Sequence, residues 1–330
     1  MRQIKYLSPT SLSLWDSDRT EFYLRYCADN RPPRTPQTRP MAIGAAFDAF
    51  VKNYLVGALG AGDDEQFSIE KIFEAQVEPQ NRDWGLEHGE RLFNEYRRLG
   101  AVSDLMLEMS NSGAISGGAT DAVRFEFTVE NRIGHSVYAD GIPILGKPDC
   151  HIRLADASLV IDWKVNGYCG SKPTSPKKGY VKERPSGKQH RDCQTMVING
   201  ITTNIGLTLD QVDEAFATQL CMYMWVLGEP IPTKALVGIE QLACAGLETS
   251  VGLRVASHRC RISDNFQLSL LSRLVAAWDK IQQGWIFTDL SFADNVARCE
   301  MLDHYYEAYV PMEGSNEQHE EWFRTITRDR

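Results

Sequence analysis

The strongest chemical signal in the chain is the spacing of Asp149, Asp162 and Lys164 within GKPDCHIRLADASLVIDWK (146–164). Residues two apart on a β-strand point to the same side, so Asp162 and Lys164 share a face of the strand LVIDWKV. A hairpin partner through Asp149 brings the second carboxylate beside the first. Two carboxylates and an ammonium then converge on one spot. Hard divalent cations such as Mg²⁺ prefer oxygen ligands and often take only one or two carboxylates, with waters and a substrate phosphate completing the shell. Asp149 and Asp162 suit that role, with the Val165 backbone carbonyl as a third ligand. The cofactor expected is Mg²⁺ or Mn²⁺, and the chemistry is phosphate-ester hydrolysis, in which the metal polarises the phosphate and acidifies water. Lys164 stays protonated beside two carboxylates unless desolvation wins. Its expected task is to orient the attacking water and stabilise transition-state charge, with general base as the weaker alternative. The same spacing also fits a solvated strand face carrying a weak ion pair. Against that, Asp162 sits in an otherwise apolar strand, where an ionised group is costly unless paired or metal-bound.

The hydrophobic pattern supplies elements to position these residues. Residues 8–29 read as a helix opened by Ser8-Pro9, with Leu12, Trp15, Phe22, Tyr23 and Tyr26 facing inward. MAIGAAFDAFVKNYL (41–55) is a second helix, and 66–80 and 87–110 are helical too. After the Gly/Ser break at 111–121, apolar and polar residues alternate. RFEFTVENRI (124–133), IPILGKPDCHIRL (142–154) and LVIDWKV (159–165) read as strands, the last two joined by the hairpin-length ADAS (155–158). Residues 166–208 read as a basic loop and 210–227 as a helix. KALVGIEQLAC (234–244) and VGLRVASHRC (251–260) are further strands, and 264–283 and 292–308 are helices. The tail from Glu313 is polar. This order is that of an α/β core with helical N- and C-terminal extensions. The expected organisation is a single elaborated domain over 1–330: a helical part at 1–115, the core at 120–260 and C-terminal helices at 261–330.

Pro-Asp followed thirteen residues later by Asp-x-Lys resembles the PD-(D/E)XK nuclease superfamily, and more narrowly its RecB-like and phage-type exonuclease branch. YLSPTSLSLWDSDRTEFYLRY is similar to that branch's N-terminal helix. MAIGAAFDAF is similar to its G-x-x-x-H helix, with Gly44 retained and Asp48 where histidine is usual. QLCMYMWVLG is similar to its Q-x-x-x-Y motif, giving Gln219 and Tyr223 four apart and so on one helix face. The resemblance implies a restriction-endonuclease-like core, a central mixed sheet flanked by helices. It implies Asp149 and Asp162 as metal ligands, Lys164 as the catalytic lysine, and Gln219 and Tyr223 lining the site. Asp48 either adds a third carboxylate to the metal or marks an altered or weakened site. Glu126 matches the family's acidic residue on the first strand loosely, and Glu130 on the same face is its rival. The activity implied is DNA phosphodiester hydrolysis, leaving a 5′-phosphate, in phage or bacterial recombination, replication or repair. Alternatives are a non-catalytic nucleic-acid-binding protein with a degenerate site, a structure-specific endonuclease, and a metal hydrolase acting on small phosphate esters. Relatives with an iron–sulfur cluster carry one early and three late cysteines. Here those regions offer only Cys27 and Cys299, so no cluster is expected.

Charge bears on the partner. The chain carries a formal net charge of -9, so any grip on DNA must be local. Residues 164–191 hold six Lys and two Arg against the single acid Glu183. Lys172, Lys177, Lys178, Lys182, Arg184, Lys188 and Arg191 are the expected phosphate contacts, with Tyr168 and Tyr180 interleaved to stack on bases. The prolines and glycines here suggest a loop that orders on substrate, a solubilising loop being the alternative. Arg31 to Arg39 is a weaker basic stretch. A recombination or single-strand-annealing protein is a further expected partner.

Other chemistries find little support. The eight cysteines include no C-x-x-C pair, which argues against a zinc ribbon and for reduced thiols. His151 and His258 are expected to be packed or solvated. No G-x-S-x-G elbow occurs, and GIPILGKP (141–148) lacks the Ser or Thr that a P-loop needs. No signal-peptide core and no membrane span are expected, which suits a cytoplasmic protein.

Overall fold

In the computed structural model the residues described are 1–29, 35–60, 68–114, 123–125, 129–135, 138–153, 158–244 and 252–309. In chain order the first helices are α1 (Pro9–Ser17), α2 (Arg19–Phe22), α3 (Arg39–Leu59), α4 (Ile69–Gln76), α5 (Arg82–Arg98) and α6 (Ala101–Asn111). Strands β1 (Val123–Phe125), β2 (Val129–His135), β3 (Tyr138–Gly146), β4 (Cys150–Arg153) and β5 (Ser158–Asn166) follow. Next come β6 (Lys182–Arg184), β7 (Thr195–Ile198), β8 (Ile201–Asn204), α7 (Leu209–Val212) and α8 (Glu214–Val226). The chain continues with β9 (Leu236–Cys244), β10 (Leu253–Cys260), α9 (Asp264–Gln282) and α10 (Phe292–Tyr309). These elements divide into two compact units: Met1–Thr35, Glu130–Leu145 and Ser269–Arg330 in one, Pro36–Val129 and Gly146–Leu268 in the other.

The second unit is an α/β structure built on a mixed six-stranded sheet of order β1-β4-β5-β9-β10-β6. Only β5 and β9 run parallel, in register from Leu159↔Leu236 to Asn166↔Ala243. Parallel neighbours need a long crossover, and here it contains α7 and α8. Alternation along β5 divides its side chains. Leu159, Ile161 and Trp163 join one apolar cluster with Phe47, Phe93 and Tyr96 of α3 and α5, while Asp162 and Lys164 take the opposite face. Helix α3 is long and apolar enough to cross a membrane by composition, yet more than half of its apolar window is buried within the structure.

The first unit is tied together by local pairing. Leu7 N–H donates to the Pro143 carbonyl and Leu145 N–H to that of Leu7, at 3.0 and 2.8 Å. The Tyr23 hydroxyl donates to Asp303 at 2.7 Å. The helix expected over 8–29 is interrupted at Asp18, which is extended (φ -150, ψ 94) and caps α2 by accepting from Glu21 N–H. Leu12, Trp15, Phe22 and Tyr23 are buried as expected.

The expectation of a loop over 166–208 is corrected. It contains β6, which pairs antiparallel with β10 at the sheet edge, and the β7–β8 hairpin. The hairpin turn is Asn199-Gly200, both at positive φ (49 and 79), as a two-residue type I′ turn requires. The Asn-Gly pair was the missed signal.

A buried ionic cluster locks α6 to the sheet. Arg259 of β10 is 2% exposed and bonds Glu108 of α6 at 2.9 Å and also Glu240 of β9. Replacing Arg259 with Met would leave two carboxylates facing an apolar interior. The expected result is a loss of about 3–5 kcal/mol in urea unfolding; a loss below about 1 kcal/mol would contradict a structural role for the cluster.

Candidate active site

All the groups of the candidate site belong to the larger unit. Antiparallel pairing sets Cys150 opposite Ile161, and one further step in that register sets Asp149 against Asp162. The two carboxyl groups are close enough to influence each other's titration. Asp162 is 2% exposed, while the Asp149 side chain is 26% exposed. The hairpin geometry read from the sequence is therefore present, although its tip at 154–157 lies outside the described residues.

Lys164 follows on the same strand face, its Nζ 2.5 Å from Asp162 Oδ2. Gln219 of α8 joins the two. Its Oε1 accepts from Lys164 Nζ at 2.9 Å, and its Nε2 donates to Asp162 Oδ1 at 3.0 Å and to the Tyr223 hydroxyl oxygen at 3.0 Å. The amide can serve an ammonium and a carboxylate at once only in this orientation. Asp213 caps α8 by accepting from Phe216 N–H, which fixes the turn from which Gln219 and Tyr223 project. Gly146 lets α8 come this close, since a Cβ there would lie 2.9 Å from the Tyr223 ring and 2.8 Å from Val226.

Asp48 reaches the site through a residue the sequence reading missed. Lys52, one turn further along α3 and 1% exposed, places Nζ 2.5 Å from Asp48 Oδ2 and 3.3 Å from Asp149 Oδ1. The available signal was a lysine four residues after an aspartate in an otherwise apolar helix, the stabilising acid-first order. Among the described residues, no group of three or more His, Cys, Asp or Glu side chains is close enough to hold a metal ion.

The two carboxyl groups titrate apart. Burial pushes Asp162 up to about 8, the adjacent Asp149 charge adds to this, and Lys164 opposes it. Burial pushes Asp149 up as well, but Lys52 and Lys164 outweigh it and hold Asp149 below its ordinary value. Near neutral pH the surroundings thus favour the neutral form of Asp162 and the charged form of Asp149. Tyr223, buried beside these charges, has its phenol pushed up.

The remaining predicted residues fall elsewhere. The Val165 side chain turns to the opposite face against the apolar cluster, in register with Leu242. Lys172, Lys178 and Lys188 are exposed. Lys177 pairs with Asp213 at 3.3 Å and Arg191 with Asp192 at 3.5 Å. Lys182 and Arg184 both meet Asp104, and Arg184 also donates to the Leu99 carbonyl, so these two brace the sheet edge against α5 and α6. Tyr168 and Tyr180 are buried, which corrects their expected place as open stacking platforms. Tyr168 bonds His88 at 2.8 Å, and Tyr180 packs edge-on to His190 and His258. His151 is half-buried on β4, and burial lowers it to about 4. His258 is buried on β10, and burial, then Arg259, lowers it to about 3. Glu126 lies outside the described residues, as do Arg31 and Arg34, and the exposed Glu130 belongs to the other unit.

Comparison with known proteins adds little. No family model matches the chain, and no curated protein matches it. A solved structure titled "Crystal structure of SSO0001" aligns at 12% identity, covering 85% of this chain and 96% of that one. Its TM-score of 0.25 is too low to carry an argument.

The titration of Asp162 has a consequence for stability. Its folded value lies above that of an unfolded aspartate, near 3.9, so the folded state holds an extra proton between the two. The stability it contributes is full below about pH 4 and is lost as pH rises through about 8. Urea unfolding of metal-free protein is expected to show this as a falling component of about 1.4 kcal/mol per pH unit. Asp162→Asn should remove it; an unchanged slope in the variant would contradict the assignment.

Proposed function

We propose that this protein is a divalent-cation-dependent deoxyribonuclease of the PD-(D/E)XK type, with a restriction-endonuclease-like core. We further propose that it acts as an exonuclease in phage or bacterial DNA recombination, replication or repair. One observation carries the reading: Asp149 and Asp162 stand opposite each other on adjacent antiparallel strands while Lys164 and Gln219 close around Asp162. The pathway and the exonuclease mode rest on the motif resemblance.

The donor set suits a hard cation. Asp149 and Asp162 offer carboxylate oxygens, and the Val165 carbonyl follows on the same strand. Mg²⁺ or Mn²⁺ bound there would supply Lewis acidity to a phosphate oxygen and lower the pKa of water. The protein's own groups do the rest. Lys164, 2.5 Å from Asp162 Oδ2, places its Nζ where a phosphorane-like transition state would gather negative charge. Gln219 fixes the Lys164 and Asp162 side chains with its two ends, so neither must reorganise during reaction. Tyr223 is fixed in turn by the Gln219 amide.

The basic region supports a polyanionic substrate. Lys172, Lys178, Lys188 and Arg191 remain exposed in a chain of net charge -9, and local positive charge of this kind is what phosphate backbones bind. Gly44 lies one turn before Asp48 on α3, and a Cβ there would meet nothing within 4 Å. The space beside this part of the helix is therefore open to an incoming ligand.

The test is digestion of end-labelled single- and double-stranded DNA, with a circular control, in Mg²⁺, Mn²⁺ or chelator. Metal-dependent cleavage of linear DNA is expected. Lys164→Ala should slow it by about 10²–10³-fold while gel-shift binding stays near wild type. Equal cleavage by the variant would remove the mechanism. Binding without cleavage by the wild type in every metal would favour a non-catalytic DNA-binding protein.

A further inference from the structure

The site holds a cation of its own. Lys52 Nζ bridges Asp48 Oδ2 and Asp149 Oδ1, at 2.5 and 3.3 Å. The side chain is 1% exposed, and a buried ammonium is tolerated only when carboxylates flank it. Asp48 and Lys52 are fixed one turn apart on α3, so the charge is held by backbone geometry and not by a flexible surface pair. A Mg²⁺ ion between the same two carboxylates would need oxygens at about 2.0–2.1 Å, in the volume that the ammonium fills. Cation and lysine exclude each other there.

We propose that Lys52 is a built-in substitute for a second metal ion, so that Asp48 serves the ammonium and the site takes a single divalent cation on Asp149 and Asp162. This rests on the metal-dependent reading above and assigns its stoichiometry. Lys52 is too deeply buried to touch substrate. It is a positioning residue, holding Asp149 toward the metal and supplying fixed charge behind it. The pairing also accounts for Asp48 itself: a carboxylate at this position of α3 is matched by an ammonium one turn later.

Manganese binding to the full chain tests this without reference to catalysis, by calorimetric titration and by electron paramagnetic resonance of the bound ion. The wild type is expected to take one Mn²⁺. Lys52→Met, which keeps the side-chain length and removes the charge, should take two and show the spectrum of an exchange-coupled pair. Lys52→Met combined with Asp48→Asn should return to one. Asp48→Asn alone should still take one Mn²⁺, at an affinity lowered by up to the roughly 10–100-fold that losing an outer-shell partner costs. Circular dichroism checks folding, and if Lys52→Met does not fold, the ion count of Lys52→Gln decides. Two ions in the wild type, or one in a folded Lys52 variant, overturns the proposal while leaving the metal-dependent reading intact. No ion bound by the wild type defeats both.

Discussion

Two carboxyl groups pressed together inside a protein cannot both hold a full charge without help, and the larger unit is arranged around that constraint. Asp149 and Asp162 meet because the antiparallel register of β4 on β5, carried one step beyond Cys150↔Ile161, sets them opposite each other. Their repulsion is met in two ways. Lys52 and Lys164 approach from opposite elements, and a proton stays on the more buried partner. The asymmetry follows from position: Asp149 lies near both ammonium groups, whereas Asp162 is more deeply buried beside Lys164 alone. Neighbouring acids driven apart in this way are a recurrent feature of sites built for chemistry.

Rigid elements hold every member of this set. β5 is central, with β4 on one side and β9 on the other, so Asp162 and Lys164 have little freedom. The helix α8 is almost wholly buried, and Gly146 removes the one side chain that would hold it away from the strand ends. Helix α3 contributes its apolar residues to the core and turns Asp48 and Lys52 toward the site. Sites held on strands and helices keep their geometry better than sites on loops. The basic segment is more structured than its composition suggests: β6 and the β7–β8 hairpin order it, and Asp104 ties Lys182 and Arg184 down. That divides its charge into bracing residues and those left exposed to solvent.

Much of the core site was legible because it is written locally. Asp162 and Lys164 share a face by strand alternation, and Gln219 and Tyr223 by helical repeat; both rules need only short-range sequence. The break at Asn199-Gly200 was equally local and was passed over because the surrounding composition was read as loop. Lys52 belongs to another category. Its role appears only when the β4 terminus is set against α3, a contact separated by 97 residues, and no periodicity encodes that. Tyr168 and Tyr180 failed for a related reason: an aromatic in a basic segment looks exposed until His88 and His258 are found packed against it. The mixed order of the sheet, with β9 beside β5, likewise depends on pairings the strand pattern alone leaves open.

The most direct measurement is a crystal grown with Mn²⁺ and recorded at the manganese absorption edge. The expected anomalous difference map shows one strong peak between Asp149 and Asp162, with Lys164 and Gln219 beside it. A map with no peak there at saturating Mn²⁺, or with the metal held elsewhere, would contradict the claim that these two carboxylates form a cation seat.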